Sequence, residues 1–251
     1  MTIKTYIQFN DSLNFFVKED KRNSVITYEF EQKRSIKDLL ESIGIPHTEV
    51  DLIIVDETSV TFEHQVSDNE HINVYPVTCS QEITSSTNKL IHLQPKPHNP
   101  LRFVLDVHLG TLARDLRMLG FDCLYENDYK DKELANISNS TQRVLLTCDL
   151  KLLIRRNIEF GYYVRSRNHE EQIQEVLTRY NLFNSLLPFT RCLKCNAPLK
   201  PVNKQDIQSE LNINTKKYYD NFYQCTNCLK IYWEGSHYLS MIKTVEKIRS
   251  S

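Results

Sequence analysis

Four cysteines in two short pairs constrain this chain more than any other feature. Cys192-Leu-Lys-Cys195 and Cys225-Thr-Asn-Cys228 are separated by 29 residues. Two residues between the members of a pair let both thiolates reach one ion, and two such pairs supply the four ligands of a tetrahedral zinc site. A closed four-thiolate site has no open position for water, so it predicts a structural zinc ion, and any catalysis must take place elsewhere.

The alternative for these cysteines is a pair of disulfides, and the expected compartment argues against it. No apolar signal segment is visible at the start of the chain, so we expect a reducing, cytoplasmic environment, where this spacing favours metal. No stretch approaches the roughly 18 consecutive apolar residues of a membrane span. We therefore expect a soluble, cytoplasmic protein without a membrane partner.

Charge is distributed unevenly along the chain. Residues 1–77 contain 7 basic and 14 acidic residues, a formal charge of −7, whereas residues 78–251 contain 24 and 18, a formal charge of +6. Because a phosphate-binding surface needs positive charge, any nucleic acid is expected to bind the second part. An ordinary solvated surface accounts for this modest excess equally well.

The pattern of residues 1–77 is typical of a ubiquitin-like β-grasp domain. Two strands, one helix and two further strands follow one another, and the helix at 35–43 has Ser35 and Asp38 as a capping pair and ends at Gly44. No Gly-Gly tail follows Val77, so a protein-contact or packing role is a better hypothesis than conjugation. Residues 78–99 are rich in Ser, Thr and Pro and predict a linker.

Strands alternate with helices from residue 100 to residue 188, which predicts a parallel α/β sheet. Asn168 is expected to cap the helix at 169–180, with Glu171 as its reciprocal partner.

Sites in parallel α/β sheets form at the carboxyl ends of strands, where Asp106 and Asp149 each follow an apolar strand. Asp131 and Glu133 follow another strand and begin a helix. Clustered carboxylates need a divalent cation to neutralise them, and Mg²⁺ prefers oxygen ligands. The alternative is that Asp131 caps a helix and Glu133 is simply solvated.

Several other chemistries do not fit these residues. A phosphoaspartyl phosphatase would have Asp-x-Asp after its first strand, but here the sequence is Asp106-Val-His108. The glycine-rich motifs that hold nucleotides are absent from the sequence, as is a Gly-x-Ser-x-Gly nucleophile elbow. Nucleotide binding and serine hydrolysis are therefore disfavoured.

Longer stretches carry a resemblance to a known family. Residues 103–120, with Asp131-Lys-Glu-Leu134 and Leu145-Leu-Thr-Cys-Asp149, resemble the PIN-like ribonuclease family named for the C-terminal domain of the mutator-seven exonuclease. Residues 188–196 and 232–237 are similar to the zinc ribbon that ends that family. Val74-Tyr-Pro-Val77 is similar to the end of the ubiquitin-like domain with which bacterial members often begin. The resemblance covers nearly the whole chain.

The resemblance implies a metal-dependent ribonuclease with a three-layer α/β/α PIN-like domain. It implies that Mg²⁺ or Mn²⁺ is held by the family's acidic positions, which fall here on Asp106, Asp131, Glu133 and Asp149, with Asp106 and Asp149 as principal ligands. Relatives often have Thr-Arg-Asp where this chain has Thr147-Cys148-Asp149. Four other arginines are candidates to supply that charge to RNA, although simple solvation explains each of them too: Arg114, Arg117, Arg155 and Arg156. His237 is a further candidate, as a substrate contact or a proton donor, although a packing histidine is the alternative.

Two functions follow from these observations. In the first, residues 1–77 form the ubiquitin-like domain, 100–188 the nuclease domain and 189–251 a zinc ribbon and tail. The ribbon would offer Lys194, Lys200, Tyr232 and Trp233 to RNA, unless the two rings form its own small core. In the second, the protein is a non-catalytic RNA-binding or protein-interaction module stabilised by zinc, and the N-terminal domain recruits a protein partner.

Overall fold

The computed structural model describes residues 2–80, 90–96, 98–155 and 158–249, apart from the side chains of Cys79 and Ser80. The chain forms two compact units, each of which is discontinuous in sequence. The first contains Met1–His98 and Asp131–Tyr163, and the second contains Asn99–Lys130 and Val164–Ser251. Strands of the predicted nuclease domain are therefore divided between the two units.

A five-stranded sheet with one helix forms the N-terminal part of the first unit. Its strand order is β2-β1-β5-β3-β4, in which β1 and β5 are parallel and the other neighbours antiparallel. The strands are β1 Ile3–Phe9, β2 Val25–Phe30, β3 Val50–Val55, β4 Thr58–Val60 and β5 His71–Pro76, and the helix is α1 Ile36–Ile43. This arrangement confirms the predicted ubiquitin-like β-grasp fold and adds the short strand β4.

Alternating side chains of these strands and one face of α1 build the core of this domain. Ile7, Val74 and Leu40 are among its fully buried members. The predicted helix cap is confirmed, because the Asp38 N–H donates to Ser35 Oγ at 3.1 Å and the Ser35 hydroxyl donates to the Asp38 carboxylate at 2.9 Å. The helix ends at Gly44, whose φ of 98° lies in the left-handed region.

The middle of the chain alternates strands with helices, as predicted. In order it contains α2 Val77–Ser80, β6 Arg102–Leu105, α3 Gly110–Met118, β7 Asp122–Leu124, α4 Asp131–Thr141, β8 Val144–Thr147, α5 Leu150–Leu153, β9 Gly161–Tyr163 and α6 His169–Arg179. β8 and β9 are parallel in the first unit, and β6 and β7 are parallel in the second. These parallel pairs confirm the α/β class.

The β-grasp domain packs closely against β9 within the first unit. Glu49, which is 2% exposed, accepts a hydrogen bond from the Tyr163 N–H at 2.8 Å. The ring of His47 lies 2.9 Å, through Nε2, from the Ile158 carbonyl oxygen. A Cβ on Gly161 would come within 2.6 Å of Leu153, so the absence of a side chain lets β9 lie close to α5. The first unit thus combines the ubiquitin-like domain with part of the predicted nuclease domain.

Part of the predicted linker is fixed to the same β-grasp sheet. The buried carboxylate of Asp51 accepts from the Gln94 N–H at 3.0 Å and lies 2.7 Å from His92 Nδ1. The Gln94 side-chain amide donates to the carbonyls of His47 and Val50 at 2.9 and 2.6 Å. Residues 81–89 and 97 lie outside the described part of the chain.

In the second unit, α3 and α6 pack together beside β6 and β7. The ring of Phe103 on β6 meets Phe121 and Tyr180 edge-on. Asn168 caps α6, as predicted, and accepts from the Glu170 N–H at 2.9 Å. The predicted reciprocal role of Glu171 is wrong, because its carboxylate accepts a 2.6 Å hydrogen bond from the Ser166 hydroxyl.

The C-terminal part of the second unit contains a three-stranded antiparallel sheet ordered β10-β11-β12. Its elements are β10 Leu199–Val202, α7 Lys204–Ile207, α8 Ile213–Tyr218, β11 Phe222–Cys225, β12 Ile231–Trp233 and α9 Ser236–Arg249. A small core forms around Ile207, Leu211 and Phe222. Within the described ranges, no helix is both long and apolar enough to cross a membrane.

Candidate metal centre and acidic site

The four paired cysteines converge on one point. Their sulfur atoms all lie within 4.8 Å of one another, with Cys192 and Cys228 3.6 Å apart and Cys195 and Cys225 3.3 Å apart. These separations exceed the roughly 2.05 Å of a disulfide bond. They bracket the separation of about 3.8 Å that follows from zinc–sulfur bonds of about 2.3 Å in a tetrahedron. The geometry fits a tetrahedral metal ion and contradicts the disulfide alternative.

The electrostatics of the cluster also favour a cation. Burial acts to raise the pKa of the Cys195 thiol, but hydrogen bonds from the Ala197 backbone and to the other sulfurs lower it to about 6. Burial and contact with the other three thiols raise the pKa of Cys228 to about 12. Sulfurs this close therefore resist ionising together unless a divalent cation neutralises them.

A tyrosine orients one side of the cysteine cluster. The hydroxyl of Tyr232 lies 3.1 Å from Cys192 Sγ and accepts a hydrogen bond from the Leu193 N–H at 3.1 Å. Burial and the neighbouring thiol both raise the pKa of Tyr232, which keeps it protonated as a donor to sulfur. Such contacts fix the direction of a metal ligand.

Arg117 joins the cysteine knuckle to β7, and this buried position favours a structural role over the predicted contact with RNA. Its side chain is only 5% exposed. The guanidinium donates to the Cys123 carbonyl at 2.9 Å and to the Lys194 carbonyl at 3.0 Å, with longer contacts to Leu193 and Tyr125. With its donors engaged by main-chain carbonyls, Arg117 has a structural role.

Asn196 makes a second connection that sequence reasoning missed. Its side-chain oxygen accepts from the Cys123 N–H at 2.9 Å, and its amide donates to the Asp122 carboxylate at 2.7 Å. Arg191 completes this group with a 3.5 Å ion pair to Asp122. Because these partners are about 70 residues apart in sequence, no local sequence pattern predicts the contacts between them. The Asn directly after Cys195 is the one available signal.

Asp106 and Asp149 both stand where their strands end, as predicted. Asp106 follows β6, is 6% exposed, and its carbonyl accepts from the Leu109 N–H at 2.9 Å. Asp149 follows β8 and caps α5 by accepting from the Lys151 N–H at 2.8 Å, while its own N–H donates to Thr147 Oγ1. Asp106 belongs to the second unit and Asp149 to the first. Their convergence on one ion stays a prediction.

Asp131 and Glu133 lie in the first turn of α4. Asp131 forms a 3.0 Å ion pair with Arg155, in which both side chains are about half exposed. The structure therefore brings together one predicted acidic residue and one predicted RNA contact. Such an exposed pair contributes little to stability, and either partner remains accessible to a ligand.

The remaining candidate RNA contacts have different surroundings. Arg114 on α3 and His237 on α9 are both exposed, and both border one open cleft beside the cysteine knuckle. Arg156 lies outside the described residues. Tyr232 and Trp233 are half-buried, and Trp233 packs against the core around Phe222. That packing supports the alternative in which the rings form the ribbon's own core.

Gly110, which begins α3, allows an aromatic side chain to approach the end of β6. A Cβ at this position would lie 2.6 Å from the hydroxyl of Tyr125. That hydroxyl in turn donates to the carbonyl of Val107 at 3.0 Å. The glycine is thus explained by contact across the turn that follows Asp106.

These features define a class of protein, in which a ubiquitin-like β-grasp domain precedes a parallel α/β domain that ends in a four-cysteine knuckle. The family model described as the Mut7-C RNAse domain matches residues 101–245, more than half of the chain, and the Mut7-C ubiquitin model matches residues 2–82. The chain belongs to the Mut7-C RNase family, which indicates a nuclease-like function. Among curated proteins, none matches it.

Proposed function

We propose that this protein is a ribonuclease that depends on Mg²⁺ or Mn²⁺ and hydrolyses RNA phosphodiester bonds. The observation that carries the proposal is the match of residues 101–245 to the Mut7-C RNAse domain, since Asp106 and Asp149 within it follow strands of a parallel α/β domain. The cytoplasm, where cysteine pairs stay reduced, is the proposed location.

The acidic residues have distinct proposed roles. Asp106 and Asp149 are the principal ligands, and Asp131 and Glu133 position the hydrated ion. The hydrogen bond from the Lys151 N–H to the Asp149 carboxylate supports its role, because it restricts the orientation of that carboxylate. When bound, Mg²⁺ or Mn²⁺ lowers the pKa of its water and stabilises the leaving oxygen of a phosphodiester.

The four cysteines are proposed to hold Zn²⁺ in a structural role. A closed set of four thiolates leaves no position for substrate, and Arg117 and Asn196 connect the knuckle to β7. We therefore assign no step of the reaction to this ion.

The ubiquitin-like domain is proposed to be an integral part of the folded nuclease as well as a surface for a protein partner. The hydrogen bond from the Tyr163 N–H on β9 to Glu49, and the contact between His47 and the Ile158 carbonyl, favour the integral role. The domain boundaries stay a proposal: residues 1–77 form the ubiquitin-like domain, 78–99 the linker, 100–188 the nuclease domain and 189–251 the zinc ribbon and tail.

Cleavage of labelled RNA tests the ribonuclease. The zinc-loaded full chain is incubated with single-stranded and structured RNAs with Mn²⁺, with Mg²⁺, or without either, so that no chelator disturbs the cysteines. We expect metal-dependent cleavage that the D106N/D149N double variant loses. D128N, which changes an exposed acid between β7 and α4, is the matched control and should cleave normally.

Two outcomes would contradict this proposal. Equal cleavage by D106N/D149N would remove these residues from the reaction. Metal-independent RNA binding without cleavage by any form would favour the non-catalytic alternative.

A further inference from the structure

An open cleft of about 1090 Å³ lies beside the cysteine knuckle in the second unit. We call it the ribbon cleft; it is bordered by α8, β12, the first turns of α9 and Arg114. Pockets for compact small ligands usually occupy about 300–1,000 Å³ and enclose most of the ligand. The ribbon cleft is open to solvent and does not enclose a ligand, which suits a segment of a longer chain.

Several aromatic rings line the ribbon cleft. Tyr218 on α8 is 67% exposed. Tyr232, Trp233 and Tyr238 are half-buried and border the same space. Tyr218 belongs to no part of the small core around Phe222, so its exposure has no packing explanation in the described contacts. Exposed rings along a groove are the surface on which unpaired bases stack.

The charge of the ribbon cleft is positive. Arg114 and Lys230 line it, and among the described residues that border it there is no carboxylate. Lys230 Nζ lies 5.5 Å from the centre of the Tyr232 ring, and Lys217 Nζ lies 5.3 Å from that of Tyr218. Each ring therefore has an ammonium group within reach of the phosphate of a nucleotide that stacks on it.

The sequence around the cleft also has a net positive charge. Residues 189–251 contain 10 basic and 5 acidic residues. Four thiolates around one Zn²⁺ subtract about two charges, which leaves the region positive. Because the region is positively charged, a polyanion is favoured as the occupant over an uncharged, apolar peptide.

We propose that the ribbon cleft binds an unpaired, single-stranded segment of RNA, with bases stacked on Tyr218 and neighbouring rings and phosphates near Lys230 and Arg114. This inference rests on the proposed ribonuclease function, because it names the substrate of that enzyme as RNA with a single-stranded region. Recognition by ring faces is tolerant of base sequence, and it excludes paired bases, whose faces are already stacked.

The chain's one tryptophan gives a direct measurement of occupancy. Trp233 is the only tryptophan in the sequence, and it borders the ribbon cleft. Single-stranded RNA of ten nucleotides is titrated into the zinc-loaded full chain without added Mg²⁺ or Mn²⁺, and Trp233 emission is followed. We expect saturable quenching, and much weaker binding of a duplex of the same sequence.

Variants of exposed side chains separate stacking from charge. Y218A should raise Kd at least about fivefold, and Y218F, which keeps the ring, should not. K230A should make the slope of log K against log salt shallower by about 0.7, the value for one phosphate contact on a single strand. Y223A and K243A are matched controls, because these exposed residues do not border the cleft.

The results distinguish this proposal from the ribonuclease proposal. Equal affinity of Y218A and wild type, an unchanged salt slope in K230A, or equally tight duplex binding would overturn the ribbon cleft as the RNA site. Manganese-dependent cleavage that persists beside such results would leave the ribonuclease intact. Binding in the ribbon cleft without cleavage by any metal would instead overturn the ribonuclease and retain an RNA-binding protein.

Discussion

The Tyr163 N–H on β9 donates a 2.8 Å hydrogen bond to the buried carboxylate of Glu49, a residue 114 positions earlier in the chain. Glu49 precedes β3 of the ubiquitin-like domain, and β9 is the last strand of the parallel pair in the same unit. A carboxylate buried to this extent needs such donors. The ubiquitin-like domain thereby completes part of the nuclease domain.

Shortening Glu49 should therefore destabilise the first unit. E49A is expected to lower the free energy of unfolding by about 1.5–3 kcal/mol, the usual range for a hydrogen bond to a charged group. E49Q keeps an oxygen acceptor and should lose less. Urea unfolding followed by circular dichroism measures both, with E63Q as an exposed control. Equal midpoints for E49A and wild type would contradict the integral role of the ubiquitin-like domain.

Removing the metal should unfold the knuckle. Without a cation, the clustered sulfurs are no longer neutralised or held together. The contact between Tyr232 on β12 and Cys192 is then lost, so β12 is no longer fixed to the cluster. We expect a chelator to release one zinc per chain and to shift Trp233 emission to longer wavelength. C195S should show the shifted emission before any chelator is added, whereas C148S, outside the cluster, should not. Unchanged emission after complete zinc loss would contradict the structural role.

Replacing Arg117 should weaken the connection between the knuckle and β7. R117A removes the donors to the carbonyls of Cys123 and Lys194 in a buried site, and we expect a loss of at least about 2 kcal/mol in stability. R117K should also be destabilised, because a single ammonium cannot reproduce the planar set of donors. Thermal unfolding of zinc-loaded protein measures the effect, and R114A on the exposed face of α3 is the control. A normal midpoint together with reduced RNA affinity in R117A would restore the original substrate assignment.

Two glycines with nearly the same φ offer a matched test of close packing. Gly44 has a φ of 98° and nothing within 4 Å of an added Cβ, whereas Gly120 has a φ of 96° and the Leu187 carbonyl oxygen directly in the path of a Cβ. G44A should cost about 1–2 kcal/mol for left-handed backbone alone. G120A should cost clearly more, since the backbone of residue 187 has to move. Equal losses in chemical unfolding would show that the contact with Leu187 relaxes freely.

Local patterns in the sequence predicted much of this fold. Strand alternation and the Ser35 cap identified the β-grasp domain, and the Cys-x-x-Cys spacing identified the knuckle that the structure assembles. The strand ends at Asp106 and Asp149 were also located correctly. The cap and the strand ends depend on residues only a few positions apart. The knuckle depends on paired cysteines, a ligand type with few other roles at that spacing.

The features that escaped prediction depend on distant partners. Arg117 has the sequence appearance of an exposed helix residue, yet it contacts carbonyls about 76 residues away. Asn196 likewise contacts Asp122 and Cys123, which lie 74 and 73 residues earlier. Periodicity and capping rules contain no information about contacts between such distant residues, which only tertiary packing brings together.

The contact between Glu49 and Tyr163 also sets an order of events during translation. Residues 1–77 leave the ribosome before β9 has been synthesised, and domains generally fold as units in that order. The hydrogen-bond acceptor that β9 requires is therefore already held on a folded domain when the strand emerges. The N-terminal domain thus offers β9 an acceptor that stays part of the folded protein.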